Sequence, residues 1–265
     1  MPNILISGAS SGLGFCLVNE LLKLIKTNEK IYIISKKKIN FINSKKKNVK
    51  IFNTNLSKKK NIVKLVKKIK RLKIDIIINN AGAIYEKSTN KIIHDTVLLN
   101  AFSHIYITEN ILKIARSPIK VINISSFLHK YINEKDINNF LNNQKKSSTT
   151  KIYMISKLIL MTLSKFLNTK YKKNKFIDIN PGIIRTKFGL SNKSFFRKIT
   201  YAVRNLIAKS PIYISKKIIK VILKKNNNYS NFNNIIFHKK NSNNLIRNKR
   251  LQKKIYNLYN NFFYN

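Results

Sequence analysis

The sequence predicts an α/β fold built on a parallel sheet of about seven strands with helices on both faces. Three observations carry this. Short strand-like apolar runs alternate with helix-length amphipathic segments along the chain, the pattern of a sheet whose crossovers are helices. The chain holds only six glycines, where a chain of this length would carry about 19, and five of them fall in three short segments beside predicted strands. With 265 residues, 43% of them hydrophobic, the chain is long enough to bury a substantial core as one domain, 1–265.

Ile4 to Ser7 reads as a short buried strand, followed by a glycine turn and a helix over about 13–26. In that helix Leu13, Leu17, Leu21 and Leu24 recur at spacings of three and four. Ile31 to Ile34 and Val49 to Phe52 are the second and third strands. Between 58 and 72, Ile62, Leu65, Val66, Ile69 and Leu72 form an apolar stripe on a lysine-coated helix. Ile74 to Ile78 is the fourth strand, a helix covers about 92–115, and Ile119 to Ile124 is the fifth strand. The polar stretch of about 129–150 reads as an inserted loop. A strong helix follows at about 151–172, then a sixth strand, Phe176 to Ile179. Beyond 185 the pattern is less regular: amphipathic helices at 198–206 and 212–223, a seventh strand at 234–237 and a closing helix at about 245–262.

The formal charge of +45 invites a nucleic-acid reading. Only seven of the 54 basic residues are Arg, and Lys, Asn and Ile are abundant in strands, helices and loops alike. A uniform tilt of that kind reads as genomic base composition, whereas a binding groove concentrates charge and favours Arg. No specific nucleic-acid partner is therefore expected. Cys16 is the only cysteine, which excludes an intrachain disulfide and reads as a buried helical thiol in a reducing compartment. The first strand begins at Ile4, and the longest apolar tract, Ile152 to Leu167, is broken by Lys157 and Lys165. A cytoplasmic protein without a membrane span is the expectation. The four histidines (94, 104, 129 and 238) show no metal-ligand spacing, so no metal is expected, and His129 reads as a polar loop group.

Two segments carry chemistry. In Ser7-Gly-Ala-Ser-Ser-Gly-Leu-Gly14 the turn between first strand and first helix points free helix N–H groups at the strand end, where a phosphate is held by backbone donors. Ser10 and Ser11 add hydroxyl donors. In Tyr153-Met-Ile-Ser-Lys157 a phenol and an ammonium lie four residues apart on one helix face. A free phenol titrates near ~10, and a neighbouring cation lowers that value toward the range of efficient proton exchange. Such a pair is common by chance among 12 Tyr and many Lys; its place at the start of the helix after the fifth strand gives it weight.

The glycine loop, followed by Asn79-Asn-Ala-Gly82, resembles the short-chain dehydrogenase/reductase family over essentially the whole chain. The resemblance implies a single-domain, Rossmann-type doubly wound sheet that binds NAD(H) or NADP(H). It implies cofactor contacts from Gly8, Ser10, Ser11, Gly12, Leu13 and Gly14. Asn80, Ala81 and Gly82 would line the adenosine-ribose side, Asn55 and Leu56 would meet the adenine, and Pro181, Gly182, Ile184 and Thr186 would cover the nicotinamide. The second strand ends on Ser35-Lys-Lys-Lys38, without the acid that would hold a free ribose 2′-hydroxyl. Lys36 there favours NADP(H), with NAD(H) the alternative. By the same resemblance Tyr153 is the proton donor or acceptor, and Lys157 holds the nicotinamide ribose. Ser126 would orient the substrate oxygen, and the main-chain carbonyl of Asn100 would support the relay.

Ser126 and Tyr153 lie 27 positions apart, about twice the usual spacing. That longer loop, with Phe127-Leu-His129, Asp136-Ile-Asn138, Ser210-Pro211, Tyr229-Ser230 and Lys254-Ile-Tyr-Asn-Leu258, is similar to the retinol dehydrogenase and protochlorophyllide reductase branch. The Ser125-Ser126 pair departs from the Thr-Gly-Asn of the chlorophyll-precursor reductases. The expectation is thus an oxidoreductase that interconverts an alcohol and a carbonyl on a lipophilic small molecule, with a covering segment at about 185–225. A degenerate NADPH-binding protein, or a nucleic-acid- or membrane-associated basic protein, are the alternatives. Peripheral membrane contact through 198–223 and homo-oligomerisation stay open.

Overall fold

The structure, a computed structural model, describes residues 2–37, 39, 45–144, 147–186, 208–223, 236–237 and 243–265. Among the described residues seven strands form one sheet: β1 (Ile4–Ser7), β2 (Ile31–Ser35), β3 (Val49–Asn53), β4 (Ile76–Asn79), β5 (Lys120–Ile124), β6 (Lys175–Asn180) and β7 (Ile236–Phe237). Their spatial order is β3-β2-β1-β4-β5-β6-β7. The first six pair in parallel, with Ile4 opposite both Ile31 and Ile76, and Asn123 opposite both Asn79 and Asp178. The chain order reverses between β1 and β4, the crevice where doubly wound sheets bind ligands. The seventh strand corrects the expectation of an all-parallel sheet: it runs antiparallel to β6, with Ile179 opposite Phe237.

The helices are α1 (Gly12–Leu24), α2 (Lys59–Ile69), α3 (Asp95–Val97), α4 (Ser103–Leu112), α5 (Glu134–Asn142), α6 (Thr149–Lys170), α7 (Pro211–Leu223) and α8 (Lys249–Tyr264). Alternation along each strand builds a core on each face. Ile4, Ile6, Ile76, Ile78 and Ile122 pack against Leu17 and Leu21 of α1 and Ile214 and Ile218 of α7. Leu5, Ile77 and Val121 point the other way, onto Phe102 and Ile105, Leu158 of α6 and Tyr259 of α8. Each fully buried aliphatic side chain contributes about 1.5–3 kcal/mol of transfer free energy. The closing helix is also fastened by polar contacts. Buried Glu109 accepts from Lys170 Nζ at 2.9 Å, Tyr256 OH at 2.7 Å and Tyr259 OH at 2.9 Å.

Four local expectations change. The segment read as an inserted loop, 129–150, contains α5, started by a capping box between Asn133 and Asp136 and buried through Ile137 and Phe140. His129 is not a polar loop group: it is fully buried, with Nδ1 against the Ser126 carbonyl. The helix expected at 92–115 begins at Asp95 and carries a π turn at Leu98–Phe102 between α3 and α4. Cys16, expected buried, is half-buried and free. The expected helix at 198–206, residues 187–207 and 224–225 of the expected covering segment, residues 234–235 of the seventh strand, and Lys38, Gly189, Tyr229, Ser230 and His238 lie outside the described residues. In the described part of that segment, α7 packs its Ile214, Ile218 and Ile222 into the α1 core and leaves Ile212 and Tyr213 exposed. Among the described residues no helix is long and apolar enough to cross a membrane.

Candidate active site

A cavity of about 800 Å³ opens at the carboxyl ends of the strands, at the β1/β4 reversal. Its floor is the glycine loop. Gly8 has φ +74°, and a Cβ there would sit 2.5 Å from the Ala81 Cα. Gly14 is packed against the Gly8 carbonyl and the Asn80 amide, so neither position admits a side chain. The N-cap of α1, Ser11, makes no side-chain bond to the helix, and the first turn contains no acid. The helix therefore presents its N–H groups and positive dipole end to the cavity, as an anion site requires.

Ser7 explains how the loop meets the end of β4. Its Oγ accepts from the Asn80 and Ala81 amides at 3.1 and 3.0 Å, while Asn80 Nδ2 donates to the Ser7 and Gly8 carbonyls at 3.0 and 2.8 Å. Asn80 lines the cavity, but its amide nitrogen is committed to holding the glycine loop rather than being free for a ribose. Asn79 faces the interior and donates to Thr108 Oγ1 and Asn123 Oδ1 at 3.2 and 2.8 Å.

Every residue singled out in the sequence for the cofactor side lines this cavity. Gly8, Ser10, Ser11, Gly12, Leu13 and Gly14 form the base. Lys36 stands exposed at the rim beside Lys37. Asn55 and Leu56 follow β3, although Asn55 Oδ1 is engaged by the Ser57 amide and hydroxyl at 3.1 and 2.8 Å. Ala81 and Gly82 border the opposite wall. Pro181, Gly182, Ile184 and Thr186 bend over the mouth, tied by a bridge between Ile184 and Lys209 and by the Thr186 amide donating to the Ile184 carbonyl at 2.9 Å.

The same cavity reaches Ser126, Tyr153 and Lys157. Ser126 caps the 3₁₀ turn Phe127–Tyr131, accepting from the Leu128 amide at 3.3 Å, and its side chain is hydrogen-bonded to the Tyr153 hydroxyl. Lys157 lies 6.0 Å from the Tyr153 ring centre and donates to the Ile124 carbonyl at 2.8 Å. Burial pushes the Tyr153 phenol up to about 12, the Ser126 bond opposing it, and pulls the Lys157 ammonium down to about 8. Proximity of the two groups was legible from their spacing, but Lys157 does not lower the phenol in this arrangement. Asn100 stands behind the wall rather than in the cavity, within the π turn. Its Oδ1 accepts from the Ala83 amide at 2.9 Å, and its Nδ2 donates to the Ala83 carbonyl and Ser156 Oγ at 3.1 and 3.0 Å.

Residues that the sequence reading missed complete the walls. Leu128 and Ile84 pack with Tyr153, and Leu99 and Tyr85 line the same end, giving the Tyr153 end an apolar wall. Their signal, scattered apolar residues in loops, does not stand out in the sequence. Among the described residues no group of His, Cys, Asp and Glu is arranged to hold a metal ion. The arrangement can hold an extended anionic ligand along the glycine loop while presenting a hydroxyl pair and an ammonium to a reacting group at its far end.

Comparison with known proteins gives the family and the fold. The family profile described as short chain dehydrogenase matches residues 2–137, about half of the chain. Solved structures share the fold at low identity. A short-chain dehydrogenase from Sphingobium yanoikuyae in complex with NADPH is 15% identical with a TM-score of 0.61, covering 84% of each chain. An NADPH-bound carbonyl reductase from chicken fatty liver is 19% identical with a TM-score of 0.60, covering 83% of this chain and 90% of its own. A 4-hydroxyisoleucine dehydrogenase complexed with NADH is 21% identical with a TM-score of 0.61, with the same coverage. No curated protein sequence matches the chain significantly.

Proposed function

We propose that this chain, which belongs to the short chain dehydrogenase family and is an oxidoreductase, interconverts an alcohol and a carbonyl with NADP(H) as its preferred hydride carrier and NAD(H) as the weaker one. The observation behind this reading is that one cavity joins the glycine loop and open helix end to Ser126, Tyr153 and Lys157. The cradle fits a dinucleotide: two glycines approach so closely that no Cβ fits, the helix N-terminus awaits an anion, and Lys36 stands where a 2′-phosphate would be held.

When bound, the dinucleotide supplies the hydride. In the reducing direction the Tyr153 hydroxyl gives its proton to the carbonyl oxygen as the carbon is reduced. Ser126, hydrogen-bonded to that hydroxyl, orients the oxygen, and Lys157 supplies positive charge beside the site and holds the nicotinamide ribose. Asn100 supports the relay from behind through its main-chain carbonyl. The remaining cofactor contacts come from the glycine loop, from Asn55 and Leu56, from Asn80 to Gly82, and from Pro181, Gly182, Ile184 and Thr186.

A lipophilic substrate is favoured by the apolar wall of Leu128, Ile84 and Leu99 around Tyr153. The long Ser126–Tyr153 separation, folded into α5, supports the retinol dehydrogenase-like branch. We read the chain as one domain whose segment of about 185–225 covers the substrate, in the cytoplasm as its single cysteine suggests. Peripheral membrane contact finds support in exposed Ile212 and Tyr213 beside Lys216. The test is NADPH and NADH oxidation across a panel of aldehydes and ketones. Carbonyl-dependent loss of nicotinamide absorbance, faster with NADPH, is expected; tight NADPH binding without turnover on any carbonyl would reduce the protein to a cofactor-binding module.

A further inference from the structure

The helical segment running from α3 through the π turn into α4 carries four polar side chains at a spacing of four: Thr96, Asn100, His104 and Thr108. All four are fully buried, the reverse of what a helix against a sheet normally shows. Each meets the last residue of β4 or the chain leaving it. Thr96 Oγ1 accepts from the Tyr85 amide at 3.0 Å. Asn100 pairs with both the amide and carbonyl of Ala83. His104 Nε2 meets the Ala81 carbonyl at 2.8 Å, and Thr108 Oγ1 accepts from the Asn79 side chain. The partners descend 85, 83, 81, 79 as the helix positions ascend 96, 100, 104, 108.

The repeat is a match of pitches. Four helical residues rise about 6.0 Å and two extended residues advance about 6.6 Å, so one polar side chain per helical turn meets every second residue of the loop. Four residues of a regular α-helix also rotate past a full turn, to about 400°, which would carry successive rungs off one line. The π turn at Leu98–Phe102 adds a residue to one turn and offsets that drift. The loop so held, Ala81 to Tyr85, forms one wall of the cavity.

The geometry points to His104, with Thr96, as positioning residues that set the height of the 81–85 wall and thereby the affinity for the cofactor. This rests on the NADP(H) reading above. Because a carbonyl only accepts, the His104 tautomer is fixed with its proton on Nε2, leaving Nδ1 as a buried acceptor with no hydrogen-bond partner among the described residues. Burial holds the imidazole down at about 4, with the backbone bond opposing and the nearby Lys157 charge adding. The ring is therefore neutral at pH 7 and sets no second cation against Lys157. An aliphatic residue would fill the space without the Ala81 bond, and a Gln would restore a donor.

His104→Leu, His104→Gln and Thr96→Val report this. Loss of one buried bond corresponds to about a tenfold change in affinity. His104→Leu is expected to weaken NADPH binding and raise its KM about tenfold while kcat at saturating cofactor falls no more than about twofold. His104→Gln is expected to recover most of that loss, and Thr96→Val to give about a threefold loss in the same direction. In the cofactor-free protein, amide hydrogen exchange of the 80–85 peptide should accelerate in His104→Leu and Thr96→Val. Unchanged exchange there, an NADPH affinity within about twofold of the parent in both variants, or a Gln variant as weak as Leu would overturn the proposal. Faster exchange in a protein whose parent form does not bind NADPH would uphold the ladder and sink the cofactor reading instead.

Discussion

Lys157 donates to the main-chain carbonyl of Ile124 at 2.8 Å, fixing the third turn of α6 to the last residue of β5. The bond holds the ammonium in an enclosed site, where burial brings it down to about 8 while Tyr153 is pushed up to about 12. The two groups therefore titrate in the opposite order to free side chains.

That inversion predicts the pH profile. Reduction requires the Tyr153 hydroxyl protonated, which holds up to about 12, and the Lys157 ammonium charged, which is lost as pH rises through about 8. For the free enzyme, kcat/KM in the reducing direction should be flat through neutrality and fall above a single pKa near 8. A profile still level at pH ~10 would show that Lys157 keeps its ordinary value.

The close approach of Gly8 to Ala81 predicts a stability effect. Gly8→Ala places a Cβ 2.5 Å from backbone at φ +74°, combining strain with a clash that no flexible side chain can relieve. Urea unfolding should show at least about 2 kcal/mol of destabilisation, and NADPH binding should fail. An alanine variant of ordinary stability would contradict the loop geometry.

Cofactor choice is predicted to follow charge at the end of β2. Lys36→Glu replaces attraction for a 2′-phosphate by repulsion, and the lost charge-assisted contact corresponds to at least about a tenfold weakening of NADPH. NADH, which has only a hydroxyl there, should bind as well as before or better. Equal losses for both cofactors in isothermal titration would show that Lys36 reads only the overall negative charge.

Much of this was legible because it is local. The glycine loop declares itself where glycine is rare, and the Tyr153–Lys157 pair is set by helix periodicity alone. What failed depends on packing partners. The helix α5 rests on two apolar residues, Ile137 and Phe140, inside a polar stretch, and its Asn133–Asp136 capping box was the signal overlooked. The direction of β7 follows from how the chain returns to β6, which an apolar run does not encode. Thr96, His104 and Thr108 share one spacing with Asn100, yet polar residues at helical spacing ordinarily face water. Only the folded chain shows that this face is turned inward, against the end of β4. Likewise the i,i+4 spacing brings Lys157 near Tyr153 but does not say that its ammonium donates a hydrogen bond to the Ile124 carbonyl.

The most direct test of the whole account is Tyr153→Phe, measured for NADPH affinity and for carbonyl-dependent turnover in parallel. The hydroxyl is the proposed proton source and contributes little bulk, so NADPH should bind within about twofold of the parent while turnover drops at least about a hundredfold. Turnover comparable to the parent protein, with the hydroxyl gone, would contradict the assignment of this cavity as the catalytic site.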